Sequence, residues 1–162
     1  MTRPELMAIV LVFLALLLLL MVLGWRSRAR RQRSVAKPAG APTELGAELG
    51  RFAGKYVATT TAGDPLDRLA VHGLGFRGNA SVVVAEKGVL VSIDGTDDAW
   101  IPAADLQSRR TATWAIDRVV EPGGLELVEW RLGDRVVDSY FRFDSALEFE
   151  RAIDAVIERN AA

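Results

Sequence analysis

Cysteine is absent from this sequence, and histidine occurs once, as His72. Without cysteine the chain forms no disulfide framework, no thiolate metal site, no c-type haem attachment and no cysteine nucleophile, and the absence fits a reducing compartment. A lone histidine excludes a multi-histidine metal centre. Room is also short: 162 residues hold one extra segment and one compact domain of about 100 to 150 residues, and no second domain.

Acids are missing from one stretch of the chain. Arg26, Arg28, Arg30, Arg31, Arg33 and Lys37 follow one another without a single Asp or Glu among them. From Glu44 onward the balance reverses, with 13 of the 20 basic residues against 20 of the 21 acids, so this part carries seven more negative than positive charges. The overall net charge of −1 hides that division.

Polar groups are missing from another stretch. Leu6 to Leu23 is a run of 18 residues with no charge and no polar side chain, and Gly24 and Trp25 extend it to 20. At about 1.5 Å per residue a helix of this length spans roughly 30 Å, the thickness of a bilayer's hydrocarbon core. Its strongly apolar side chains favour insertion by at most roughly 4 to 8 kcal/mol. A cleaved secretory signal has a shorter apolar core and a small-x-small site, neither of which is present here. A core helix of a soluble protein rarely needs apolar residues on every face for five turns. Residues 1–25 therefore read as an uncleaved transmembrane anchor running from Leu6 to Leu23, with Trp25 at the interface.

Only Arg3 and the amino terminus precede the run, whereas six bases follow it. Positive charge stays inside. The expectation is a single-pass protein of the cell's inner (plasma) membrane, amino terminus outside and carboxyl-terminal part cytoplasmic. Residues 26–43 read as a juxtamembrane strip and linker. The arginines act as topology determinants that attract anionic lipid, not as a nucleic-acid arm. Pro38, Gly40 and Pro42 mark a tether reaching roughly 20 Å as a coil.

From Glu44 to Ala162 the pattern is that of a small, mainly β domain. Glu44 to Phe52 reads as a helical lead-in, and Tyr56 to Thr61 as a first strand. Gly63 to Gly78 is a long glycine-punctuated connection. Ser81–Ala85 and Val89–Ile93 alternate around a turn at Glu86-Lys87-Gly88. Ala99–Ile101 is a short strand stopped by Pro102, and Ser108–Ile116 is another. Leu125–Leu132 and Arg135–Phe143 enclose Gly133-Asp134, the clearest hairpin in the chain. Ser145-Ala146-Leu147-Glu148 is a capping box that opens a helix, in which Phe149, Ala152, Ile153 and Val156 form a docking stripe. Six or seven antiparallel strands followed by one amphipathic helix is the layout of a pleckstrin-homology-like barrel, giving an α+β fold class: a transmembrane helix, then a small antiparallel barrel capped by its carboxyl-terminal helix.

Three blocks carry a resemblance. Tyr56-Val57-Ala58-Thr59-Thr60 with Gly63-Asp64-Pro65-Leu66-Asp67-Arg68 and Val71 to Gly78 is the first. Ile101-Pro102-Ala103-Ala104-Asp105-Leu106 and Trp130-Arg131-Leu132-Gly133-Asp134 are the others. Together they resemble actinobacterial single-pass membrane-anchored PH-like domain proteins over nearly the whole chain. The resemblance implies an anchored cytoplasmic barrel without established enzymatic activity. The sequence departs from that pattern at Asp138-Ser139-Tyr140-Phe141-Arg142, where a small Thr-Gly pair is expected before the Phe-Arg.

Catalytic signatures fail one by one. Gly73, Gly75 and Gly78 satisfy G-x-G-x-x-G, but a strand follows instead of the helix a dinucleotide site needs, so the glycines read as backbone freedom in a loop. Asp94, Asp97 and Asp98 lack the spacing of a calcium loop and read as turn residues. No catalytic residue, metal ligand or cofactor is expected, and the chain does not read as an enzyme. The candidate binding residues are Arg68, His72 and Arg77 on the long connection, since arginine's planar fork suits phosphate. The expected function is a membrane-tethered, non-catalytic adaptor or scaffold whose partners are the bilayer and an unidentified protein, with no nucleic acid. The alternative is recognition of anionic lipid headgroups through the Arg68/His72/Arg77 loop.

Overall fold

The computed structural model describes residues 3–32, 34–112, 114–115, 118–119 and 124–161. Thr113 and Ile116 of the expected Ser108–Ile116 strand lie outside the described residues, as does Arg33 of the basic strip. Two units separate by their contacts, Met1–Ser34 and Val35–Ala162.

The first unit is one helix, α1, Arg3–Arg31. Among the described residues its segment Arg3–Ser27 is long and apolar enough to cross a membrane. Leu18, Met21 and Trp25 are exposed, as are its other large apolar side chains from Met7 onward. The backbone of Arg26, Arg28, Arg30 and Arg31 continues the same helix, so the basic strip begins as an extension of the apolar one.

The second unit is built on strands β1 (Glu48–Thr61), β2 (Asp64–Arg68), β3 (Gly78–Ala85), β4 (Gly88–Ile93), β5 (Ala99–Pro102), β6 (Leu106–Ala112), β7 (Trp114–Ala115), β8 (Arg118–Val119), β9 (Leu125–Leu132) and β10 (Arg135–Phe143). Helix α2 (Ala146–Ala161) closes the chain. The main sheet runs β5-β4-β3-β1-β10-β9-β6, every pairing antiparallel, with β2 added to β1 and β7–β8 forming a separate ribbon.

Strand β1 is the hinge of this arrangement. Its first part pairs with β3 from Glu48 to Tyr56, and its last part pairs with β10 from Gly54 to Thr61, with a register shift between Tyr56 and Ala58. Extra residues of this kind bend a strand and raise its twist, which curls the sheet around a core. Gly54 sits at the bend because a Cβ there would overlap the Arg142 carbonyl.

The core side of β3, β4, β9 and β10 carries Val82, Val84, Val89, Val91, Val128, Trp130, Val137 and Phe141, all buried. Helix α2 presses its stripe of Phe149, Ala152, Ile153 and Val156 into this cluster, and the Phe149 ring meets Phe143 at 4.4 Å and Phe52 at 5.4 Å. The opposite face of β9–β10 has a smaller cluster, Leu125, Leu127 and Tyr140.

Most expected elements are present, and three differ. Glu44 to Phe52 is not a helical lead-in, because Glu48–Gly54 is held extended by β3. The Gly63–Gly78 connection contains strand β2, which extends the β1 edge. The folded unit starts at Val35 instead of Glu44: Val35 is buried, and Trp100 donates its backbone N–H to the Ala39 carbonyl at 2.7 Å. Part of the stretch read as linker therefore lies along the β5 edge.

Candidate functional site

The connection from Thr61 to Gly78 is pinned by Leu69 and Leu74, both buried, and by a chain of hydroxyls beneath it. Trp130 Nε1 donates to Ser139 Oγ at 2.9 Å, Ser139 and Thr59 meet at 2.7 Å, Thr59 and Tyr56 at 2.7 Å, and the Tyr56 hydroxyl donates to the Leu74 carbonyl at 2.8 Å. An indole N–H only donates, a carbonyl only accepts, and each hydroxyl has one proton. The direction is thereby fixed: Trp130 to Ser139, Ser139 to Thr59, Thr59 to Tyr56, Tyr56 to Leu74. Burial raises the Tyr56 phenol well above its ordinary value, so it stays a donor. Ser139, where the family resemblance breaks, is a member of this relay, and its oxygen is what the Trp130 indole and Thr59 both require.

On this scaffold the three candidate residues go to different places. Arg68 is half-buried, and its Nη2 donates to the Val57 carbonyl at 3.2 Å. His72 adopts a left-handed φ of 56°, a region where histidine is tolerated better than most side chains, and its Nε2 bonds the Val35 carbonyl at 2.9 Å. Arg77 is exposed on the other side of the loop. Gly73 and Gly75 serve the backbone: Gly73 has φ of 80°, and a Cβ on Gly75 would come within 2.8 Å of the Ala70 Cα.

His72 lines a mouth of about 540 Å3 together with Lys37, Phe76, Thr96 and Asp97. Lys37 Nζ meets Asp97 Oδ2 at 2.8 Å, and that contact holds the Asp97 carboxyl below its usual range. Asp94 accepts from Asn79 at 3.1 Å. The lysine and the aspartate on the mouth's lining are thus engaged with each other, so neither is left to face a ligand as a bare charge.

Arg77 instead lines an open cleft of about 830 Å3 on the outer surface of β1, with Lys55, Asn79, Arg142 and Asp144. Strand register makes this cleft: Lys55 lies directly opposite Asn79 of β3 and opposite Arg142 of β10. Sequence reasoning found Arg77 but missed Lys55 and Arg142, which only the register brings together.

A third place is the β6 end of the sheet. Arg109 makes two bonds of 3.0 Å to the Asp154 carboxylate of α2, and its Nη1 lies 3.1 Å from Glu150 and 3.8 Å from the buried Glu126 of β9. Bonding to Asp154 raises the Arg109 pKa still further, so the guanidinium is a fixed cation. Burial, reinforced by the Glu150 charge and opposed by Arg109, pushes the Glu126 carboxyl up to about 7. On the other face Arg110 pairs with Glu129 at 2.7 Å and approaches Asp138 at 3.6 Å. Among the described residues β6 has β9 as its one strand neighbour, so its second edge ends the sheet.

Comparison with known proteins bears on the fold. No curated protein matches the chain. A solved structure described as "Vav1 inhibited by an allosteric inhibitor" matches 82% of this chain with 12% identity and a TM-score of 0.43, and this chain covers 32% of that one, about a third of its length. The family model described as bacterial PH domain-like matches residues 35–157, from the first buried residue beside the barrel to the last turns of α2. The bent antiparallel sheet with its carboxyl-terminal helix is a PH-like fold, and the chain belongs to the bacterial PH domain-like family.

Proposed function

We propose that this protein is a membrane-tethered, non-catalytic interaction module of the actinobacterial single-pass kind, an adaptor that takes an extended segment of a partner protein along the free edge of β6. Helix α1 is the anchor, its amino terminus outside, and the PH-like domain works on the cytoplasmic side of the plasma membrane. The observation that carries this reading is that, among the described residues, β6 pairs with β9 alone. An unpaired edge offers a row of backbone donors and acceptors, and a partner strand satisfies them. The charged side chains there are already neutralised, Arg109 by α2 and Arg110 by Glu129, which suits backbone recognition. Non-catalytic action is supported by His72, whose ring is engaged with Val35, and by Asp97, engaged with Lys37. Headgroup recognition through Arg68, His72 and Arg77 has less support, because Arg68 is turned to a carbonyl, His72 is engaged with Val35, and the lysine beside it is paired with Asp97.

A photo-reactive side chain at Gln107 or Thr111, both exposed on β6, tests this in full-length protein in intact membranes. Adducts are expected on one contiguous stretch of a single protein, and not when the same group replaces Arg51. Adducts on lipid alone, or equal capture from Arg51, would overturn the reading.

A further inference from the structure

In residues 35–42 Val35 is the one large apolar side chain, set among alanines, two prolines, a glycine and Lys37. Proline and glycine keep such a segment out of helix and ladder alike. It is nevertheless fastened to the domain. Val35 enters the core cluster, and its carbonyl accepts from His72 Nε2 at 2.9 Å. Ala36 lies against the β9–β10 turn, where a Cβ on Gly133 would come within 2.8 Å of the Ala36 Cβ. Lys37 pairs with Asp97 at 2.8 Å, and the Ala39 carbonyl accepts the Trp100 N–H at 2.7 Å. The segment is thus a strap that crosses from these turns onto β5, the end of the sheet opposite to β6.

Two features set the strap apart from a permanent edge strand. It meets β5 in a single bridge, Ala39 opposite Trp100, whereas β4 meets β5 in four registered pairs. Its fastening residue, His72, is the one non-glycine residue with a left-handed φ among the described residues, a conformation that costs energy unless its surroundings impose it. One buried side chain, two hydrogen bonds and an exposed ion pair stand against the conformational freedom of the segment, and these opposing contributions are of similar size.

We propose that Val35–Ala39 is a releasable strap, latched by His72, which undocks as a unit while the rest of the domain stays folded. Docked, it covers the β5 edge and closes the core beside His72. Released, it bares the Trp100 N–H and the socket of Val35, and adds its own length to the chain that joins the domain to α1. Only three residues separate Arg31, the end of α1, from Val35, so a load on the anchor reaches the strap before any strand of the sheet. The domain thereby has a closed and an open state. The device is separate from the β6 edge and stands whether or not a partner strand binds there.

The absence of cysteine supplies the test. In full-length protein in phosphatidylcholine nanodiscs, Val35→Cys places a single thiol, small and apolar enough for the socket, that reacts with a maleimide only when the strap is off. Val82→Cys, buried on β3 between β1 and β4, reports unfolding of the domain. Val35→Cys is expected to react about a hundredfold faster than Val82→Cys, because local openings need less energy than global ones. His72→Gly keeps the left-handed turn and removes the ring, and should quicken the Val35→Cys reaction about tenfold, as befits loss of one hydrogen bond. A second probe needs no cysteine: hydrogen exchange of the Trp100 amide, followed by 15N NMR in the otherwise unaltered chain, should outpace that of the β3 amides about a hundredfold and respond to His72→Gly by the same factor. The proposal is overturned if either probe is as slow as its β3 reference, or if His72→Gly fails to quicken the two together.

Discussion

Glu126 occupies a position on β9 that its neighbours Val128 and Trp130 would lead one to expect to be apolar, and it is only 2% exposed. Three carboxylates, Glu126, Glu150 and Asp154, share the single guanidinium of Arg109. Asp154 takes the two short bonds, and Glu126 is left at 3.8 Å, beyond hydrogen-bond reach. Its pKa rises to about 7 from an ordinary 4.5, so the folded protein holds a proton that the unfolded chain releases. Stability therefore falls as pH climbs from about 4.5 through about 7, one proton's worth per pH unit in that window. Asp138, raised by burial, adds to the same trend through its own proton. Glu126→Gln removes the buried charge at nearly constant volume. It should flatten part of this dependence and stabilise the domain at pH 8 by on the order of 2 kcal/mol, with little effect at pH 5. Urea unfolding of the full chain in micelles, followed by tryptophan fluorescence at the two pH values, checks it. Equal destabilisation at both would mean that Glu126 is a charged and well-paired partner of Arg109.

At the scale of elements, α2 holds the two halves of the bent sheet together through one residue more than any other. Phe149 is fully buried and contacts Phe52 of β1 and both Phe141 and Phe143 of β10. Phe149→Ala should cost about 3 to 5 kcal/mol through lost transfer energy and the cavity left behind. Leu147→Ala, two residues earlier and exposed, should change stability by less than about 0.5 kcal/mol; equilibrium unfolding of the two variants measures the contrast. The stripe that makes this argument was legible in the sequence, because helical spacing and a capping box coincide at Ser145 to Val156. So was the β9–β10 hairpin: alternation on both sides of Gly133-Asp134 sets the register, and Gly133, at φ of 60°, takes the left-handed turn position that glycine permits. The first half of β1 was not legible. Gly50, Gly54, Glu48 and Arg51 dilute any period of two there, and the strand exists because β3 imposes it. Strand β2 is equally hidden, five residues containing a proline on a sheet margin. The cleft beside β1 was half legible: Arg77 stands out as a base in a glycine loop, but Lys55 and Arg142 meet only through a register that no local pattern encodes.

For the whole molecule the governing asymmetry is one of charge. An acidic domain follows a basic strip, and the strip follows 18 apolar residues preceded by one arginine. Moving a cluster of arginines through the bilayer is far costlier than moving Arg3 and an amino terminus, and long domains follow the side that the flanking bases choose, since their own net charge contributes little. On the topology proposed above, the seven excess negative charges from Glu44 onward do not compete with the strip in setting direction. Protease added outside intact cells should leave the domain whole, and protease added after the cells are opened should digest it, while alkaline carbonate leaves the full chain in the membrane pellet. Replacing Arg26, Arg28, Arg30, Arg31 and Arg33 together by Asn removes the bias without shortening the apolar run, so the chain should stay in the membrane but lose its single orientation. A domain that is cleaved from outside in the unaltered protein, or an orientation indifferent to the five replacements, would place the control of topology somewhere other than in the strip.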